Sequence, residues 1–407
     1  MKFTEGGVTA AKGFEAAGAE AQIKYKNRMD MALVYSKVPC VSAGTFTSNV
    51  VKAAPVLWDK NIVDTKETAQ AVVVNSGIAN ACTGKQGMDI CKKEAECAGR
   101  LLGIPADAVL VASTGVIGMQ IPEDRICAGI EKLAAAKTDT LKAGNDAARA
   151  IMTTDTVFKE VAVEIELSGK KVTLGGMCKG SGMIHPNMCT MLGFVTTDAA
   201  ISKELLVKTV KKDVIDSFNM ISVDGDTSTN DTLLVLANGM AENPVITEEN
   251  EDYKVFCEAL HAVTTTLAKK MAGDGEGATA LFETKVIHAD TKQNARILAK
   301  SVICSSLTKA AIFGHDANWG RILCALGYSG VNFDPENVDL YFEAEGKKMA
   351  IFSKGAACDY SEEEASAILS CKEVTALVDM HMGEESATAW GCDLSYDYVK
   401  INADYRS

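Results

Sequence analysis

The stretch Lys179-Gly-Ser-Gly-Met-Ile-His-Pro-Asn-Met-Cys-Thr190-Met-Leu decides the reading of this chain. Gly180 and Gly182 loosen the backbone, Pro186 stiffens it, and Thr190 stands where a cut would make it an N-terminus. Glycine takes φ values that other residues avoid, while proline fixes its own φ and restricts its neighbour. The segment can therefore hold the unusual shape needed to bring the Thr190 hydroxyl onto the Cys189 carbonyl. An N→O acyl shift and hydrolysis would then leave Thr190 with both a hydroxyl and an α-amine. That amine, with an ordinary pKa of about 7.7–8.0, is the natural base for the hydroxyl beside it. The apolar run Met191-Leu-Gly-Phe-Val195 would bury the new terminus and keep its amine neutral. The plainer reading of the same residues is a threonine that starts a strand after a Gly/Pro loop.

Further motifs follow in order: Gly7-Val-Thr-Ala-Ala-Lys-Gly-Phe14, Asn75-Ser-Gly-Ile-Ala-Asn-Ala-Cys-Thr-Gly84, Ser113-Thr-Gly-Val-Ile-Gly118 and Met152-Thr-Thr-Asp-Thr156. Beyond Thr190 come Val223-Asp-Gly-Asp-Thr-Ser-Thr-Asn-Asp-Thr232, Asp316-Ala-Asn-Trp-Gly-Arg321 and Asn402-Ala-Asp-Tyr405. Together with the Lys179–Thr190 segment, this ordered set resembles the ornithine acetyltransferase family, the self-cleaving glutamate N-acetyltransferases of arginine biosynthesis. The resemblance runs from residue 7 to the last residue.

It implies an α+β fold, an αββα sandwich with a smaller C-terminal α/β domain, and fragments 1–189 and 190–407 assembled as two copies of each. It also implies that Thr190 is the nucleophile and that Thr114 and Gly115 form its oxyanion hole. Substrate contacts are implied at Thr153, Lys179, Thr190, Glu276, Asn402 and Ser407. Two departures stand out. Cys189 precedes the scissile bond where the family usually has alanine or glycine, and the chain ends in Ser407 where threonine is common.

Composition sets outer limits. With 407 residues, 47% of them apolar and 23% charged, the chain reads as a folded protein of two or three domains. A formal charge of −13 repels nucleic acid and anionic membranes, and no Lys/Arg run offers a local exception. Thirteen cysteines lie between Cys40 and Cys392 without a CxxC pair, and Met1-Lys-Phe-Thr-Glu-Gly-Gly has no apolar leader pattern. Reduced, buried thiols in a cytoplasmic protein are expected. No apolar stretch is long enough to span a membrane.

Strand-like and helical runs alternate. Strands are expected at 71–75, 109–112, around Val161–Ile165, at 191–195 and at 232–237; helices at 89–102, 203–218 and 253–271. Gly103 marks the stop of the first helix. Beyond about 290 come helical runs at 294–311 and 319–326, then strands near 338–342, 349–352 and 377–382. The change of pattern suggests a catalytic domain 1–288 and a C-terminal domain 289–407.

The remaining candidates divide by chemistry. Ser113-Thr114-Gly115 ends a strand in a glycine turn, where a backbone N–H and a hydroxyl can face a developing oxyanion. Lys179 and Glu276 are charges flanked by glycines; either alone reads as surface, and together they suit the carboxylate and ammonium of an amino acid. Asp224, Asp226 and Ser228 have calcium-loop spacing, but Thr229 and Val235 break the pattern, so turn chemistry is expected and no metal. His185, His261, His288, His315 and His381 show no paired metal-ligand spacing, and His185 as the base is set aside for the amine. Asp316 or Asn318 should cap the helix that follows. No phosphate-loop or dinucleotide pattern occurs. No cofactor is expected, and acetyl-CoA stands only as a second acetyl donor that no motif marks. The alternatives are an N-terminal-nucleophile amidase or aminopeptidase, and an uncleaved amino-acid-binding protein.

Overall fold

In the computed structural model, residues 1–185 and 191–403 are described. Their strands are β1 Lys2–Thr4, β2 Phe14–Ala19, β3 Met31–Phe46, β4 Thr68–Ile78, β5 Val109–Val116, β6 Lys159–Leu167, β7 Lys170–Lys179, β8 Leu192–Thr197 and β9 Thr232–Ala237 in a first sheet. A second sheet holds β10 Leu281–Ala289, β11 Asp339–Ala344, β12 Lys347–Ser353, β13 Ala356–Ala357, β14 Glu373–Asp379 and β15 Glu385–Cys392. The helices are α1 Ala54–Thr65, α2 Gly84–Leu102, α3 Glu123–Ala136, α4 Leu141–Ala150, α5 Lys203–Asp216, α6 Glu251–Gly273, α7 Lys292–Cys304, α8 Ser306–Phe313, α9 Trp319–Gly327, α10 Glu362–Leu369 and α11 Tyr396–Ala403.

Two compact units result. The first is formed by the described residues of Met1–Gly180, Pro186–Asn219 and Thr227–Leu267; the second by those of Ser181–His185, Met220–Asp226 and Ala268–Ser407. The second unit includes all of β10, so compactness divides the chain ahead of the pattern change near 288.

The order along the first sheet is β1-β6-β7-β8-β9-β3-β4-β5, with β2 also paired to β3. One strand joins its halves. The first part of β3 pairs with β2 and the second with β9, and the register shifts between Tyr35 and Cys40. Pro39 lies at that shift, where its missing N–H and fixed φ suit a bulge.

The two faces of each half separate cleanly. Ala32, Val34, Val72, Val74, Leu110 and Ala112 from β3–β5 share a core with Met177, Leu192, Phe194, Leu234 and Leu236 from β7–β9. The alternate residues Leu33, Ala71, Val73, Val109 and Val111 pack outward on α2 and α3 through Ile90, Ala98, Ile126, Ile130 and Leu133. On the far side, a Cβ at Gly176 would touch Leu267 at 3.0 Å and Val263 at 3.2 Å, so α6 lies against β7. Thr209 of α5 hydrogen-bonds Tyr253 of α6 at 2.9 Å. Helix, sheet, sheet, helix is thus the layering of this unit, the expected αββα sandwich.

The sheet of the second unit runs β13-β12-β11-β14-β10-β15, with only β10–β14 parallel. Val286 of β10, Phe342 of β11 and Leu298 and Val302 of α7 are fully buried or nearly so.

Local chemistry explains where boundaries differ from expectation. α2 starts at Gly84, ahead of the expected Asp89, and stops at Gly103, which takes φ +71°. The run expected at 294–311 breaks in two, because Ser305 leaves the helix and its hydroxyl accepts the Thr308 amide at 3.2 Å. Asn318, not Asp316, caps α9 by accepting the Arg321 amide. Among the described residues no helix is long and apolar enough to cross a membrane.

Candidate active site

In the first unit, β4 and β5 run parallel with Ser76 opposite Thr114 and Gly77 opposite Gly115. Both glycines take positive φ, +102° and +129°. A Cβ on Gly115 would lie 2.2 Å from the Gly77 carbonyl carbon, so only glycine allows this approach. The turn is braced from below. Buried Asn230 donates to Ser113 O at 2.7 Å and to Ala79 O at 2.6 Å. Ser76 Oγ donates to Ala150 O at 2.8 Å.

Lys179 ends β7, and its side chain is withdrawn from water at 7% exposure. Its Nζ stands 3.3 Å from Thr114 Oγ1. The expected oxyanion residues and the expected substrate cation are therefore neighbours in one unit, on strands far apart in sequence.

Sequence reasoning quoted Asp155 inside the motif 152–156 but gave it no role. The structure makes it the hub of this region. One carboxylate oxygen accepts from Lys159 Nζ and from the Gly180 amide, each at 2.7 Å, and the other accepts the Thr153 amide at 3.0 Å. Burial alone would push its pKa up, but the Lys179 and Lys159 charges and these hydrogen bonds outweigh it and hold the carboxyl down to about 2. Asp155 so anchors Thr153, fixes the start of the loop after Lys179, and balances buried cations. A signal existed: Asp155 and Lys159 have the i,i+4 spacing of an ion pair.

In the second unit, Glu276 is buried at 6% exposure and accepts from Asn402 Nδ2 at 2.6 Å. A Cβ on Gly182 would lie 2.3 Å from the Glu276 carboxylate, which explains that glycine. The Glu276 amide donates to Ser181 O at 3.1 Å, and Ser181 Oγ donates to Asp274 O at 2.7 Å. Asp224 accepts the amides of Met183 and Ile184 at 2.6 and 2.8 Å and the Tyr398 hydroxyl at 3.3 Å. These long-range partners, together with the Asp226 amide at 3.3 Å within the turn, occupy the Asp224 carboxylate.

His185 sits 3.0 Å from Ser222 Oγ and 3.5 Å from Cys304 Sγ. Burial, helped by the Lys300 charge, pushes its pKa down to about 4, and burial raises that of the Cys304 thiol. An imidazole of that pKa is a weak proton acceptor at neutral pH. Thr190, Cys189 and Ser407 lie outside the described residues.

The comparisons with known proteins agree with the ordered motifs. A family model described as the ArgJ family matches residues 15–407. The arginine biosynthesis bifunctional protein ArgJ 1 of Clostridium acetobutylicum is 52% identical over 402 residues, covering 98% of this chain and 97% of its own. The arginine biosynthesis bifunctional protein ArgJ of Symbiobacterium thermophilum is 53% identical over 409 residues, covering 100% of both chains. Among solved structures, the arginine biosynthesis bifunctional protein ArgJ of Bacillus halodurans aligns with a TM-score of 0.50 and 45% identity, over 52% of this chain and 97% of that one. The chain belongs to the ArgJ family, the ornithine acetyltransferases of arginine biosynthesis, and is an acyltransferase.

Proposed function

We propose that the chain cuts itself between Cys189 and Thr190 into fragments 1–189 and 190–407, and then moves the acetyl group of N2-acetylornithine to glutamate. The freed Thr190 amine takes the proton of the Thr190 hydroxyl, which attacks the acetamide carbonyl. Thr114 and Gly115 hold the oxyanion, the tetrahedral intermediate collapses, and ornithine leaves with the proton as its neutral amine. An acetyl-Thr190 ester remains. Glutamate's amine attacks that ester, and N-acetylglutamate departs as the threonine oxygen recovers its proton. Acetyl-CoA is a second donor in this scheme only if it can load the same threonine.

The observation that carries the reading is the 3.3 Å contact between Lys179 and Thr114. It sets a cation fit for a substrate carboxylate beside the hydroxyl assigned to the oxyanion. Glu276, hydrogen-bonded to Asn402, supplies the anion for the substrate ammonium, with Thr153 and Ser407 as further contacts. The half-length chain of the solved relative, itself covered to 97%, is what a separated fragment would give. Two copies of each fragment in the cytoplasm complete the proposal.

Denaturing electrophoresis tests it. Two bands are expected, with sequencing of the smaller fragments beginning at Thr190 in one of them. The Thr190→Ala variant should stay whole and inactive; an intact variant working at native speed sinks the mechanism. Glutamate in competition with water separates transferase from amidase, since mainly free acetate would favour the latter.

A further inference from the structure

The second unit carries a group of side chains that acyl transfer leaves unused. β14 lies between β10 and β11, with Asp379 opposite both Ile287 and Asp339. His288 directly follows Ile287, and His381 lies two residues beyond Asp379. His288 Nδ1 lies 2.8 Å from Asp379 Oδ1, and His381 Nδ1 lies 3.4 Å from the same oxygen. The ligand-type atoms of all three residues fall within 4.8 Å of one another. The two imidazoles stack with centroids 6.3 Å apart and planes tilted by 24°.

Backbone geometry holds them there. His288 and His381 take φ of +55° and +47°, uncommon for residues with a Cβ. Met380 N donates to Ile287 O at 3.0 Å, Met382 N to His288 O at 2.7 Å, and His381 N to Asp379 Oδ1 at 3.1 Å. The loop is thus folded back so that both rings meet one carboxylate.

We propose that His288, Asp379 and His381 form a binding site for one divalent transition-metal ion, zinc before others. Two imidazole nitrogens and one carboxylate oxygen suit zinc, cobalt or nickel, whereas calcium and magnesium favour sets made wholly of oxygen. Around a tetrahedral zinc with bonds of about 2.0–2.1 Å, neighbouring donors stand about 3.3 Å apart. The two separations from Asp379, 2.8 and 3.4 Å, fall on either side of that value.

The outer shell fits as well. His381 Nε2 faces Asp339 Oδ2 at 2.8 Å, and Ser353 Oγ donates to the other Asp339 oxygen at 2.5 Å. A carboxylate on the far nitrogen fixes the tautomer that presents Nδ1 to the ion. His288 and His381 are exposed, so water or a fourth donor has access to the open position. The plainer reading is a set of surface His–Asp pairs, each worth little to stability. An ion tying the ends of β10, β11 and β14 together would bind only the folded state and stabilise it by mass action.

The test uses the full, untagged protein stripped with a chelator and titrated with Zn2+, followed by calorimetry and by thermal unfolding. Wild type should take one ion that the variants do not, with a rise in Tm. Because cysteines also bind zinc, the reading is the difference between wild type and variants. His288→Ala and His381→Ala should each lose that ion and the rise in Tm, while matching wild-type Tm in chelator and acetyl-transfer rate. Asp339→Asn should keep the site but weaken it by about 10–100-fold. No such ion in the wild type, or an equal gain in Tm in the double variant His288→Ala/His381→Ala, overturns the proposal.

Discussion

Lys159 Nζ lies 2.7 Å from Asp155 Oδ1, with both side chains withdrawn from water, and the same oxygen takes the Gly180 amide. A buried pair of this kind adds little when replaced whole by apolar groups, but breaking it from one side leaves an uncompensated charge. Asp155→Asn should therefore cost about 3–5 kcal/mol and loosen the Lys179–Gly180 step, so that self-cutting and turnover fall together. The sign with pH follows from a folded pKa of about 2, below the ordinary carboxylate value. The stability that Asp155 contributes is present above about pH 4 and drains away as pH falls through 2. Thermal unfolding at pH 7 and pH 3 checks both statements; equal Tm for variant and wild type at pH 7 would remove Asp155 as a hub.

Gly115 tolerates no side chain. With φ at +129° and the Gly77 carbonyl 2.2 Å from a would-be Cβ, Gly115→Ala must push β5 away from β4. A displaced oxyanion donor costs about 2.7–4 kcal/mol of barrier, so kcat should drop by 100-fold or more. The measurement is kcat on acetylornithine with circular dichroism as a folding control, and an unchanged kcat in a folded variant contradicts the assignment.

Glu94 of α2 gives a prediction of opposite sign. It is fully buried, its Oε1 has no hydrogen-bond partner among the described residues, and burial pushes its pKa up to about 8. The folded state thus keeps a proton that the unfolded chain gives up near pH 4.5. Stability is whole below that pH and is lost progressively as pH rises through 8. Glu94→Gln should raise Tm at pH 8 and leave it nearly unchanged at pH 4. A loss of Tm at pH 8 would contradict a buried neutral acid.

Asn402 touches Glu276, the anion proposed for the substrate ammonium, so its loss should read out in binding. A hydrogen bond to a charged group is worth about 1.5–3 kcal/mol, and Asn402→Ala should raise KM for acetylornithine by about 10–100-fold. Because this hydrogen bond is already made without substrate, Tm should fall as well. A raised Tm-loss with unchanged KM would make it structural instead.

The sandwich was legible where burial is two-sided or periodic. Ala71–Asn75, Thr232–Ala237 and α6 announced themselves by apolar pattern. β3 did not, since its sixteen residues change partners at Pro39 and mix faces on the way. The Ser-Thr-Gly turn proposed to hold the oxyanion stands out in the sequence, but the need for Gly77 beneath it comes only from the parallel pairing of β4 with β5. The Lys159 partner of Asp155 is local, but Lys179 and Gly180, which make it a hub, are distant in sequence. His288 and His381 escaped for the same reason: ninety-odd residues separate what two paired strands bring together.

The order β7-β8-β9-β3 has a consequence for the proposed cut. β8 and β9 follow residue 190, while β7 and β3 precede it, and each is hydrogen-bonded to a strand of the other piece. The daughters are interleaved like fingers of two clasped hands. Severing the covalent link would leave them inseparable by dilution or chromatography under native conditions, and neither could refold its β-layer alone.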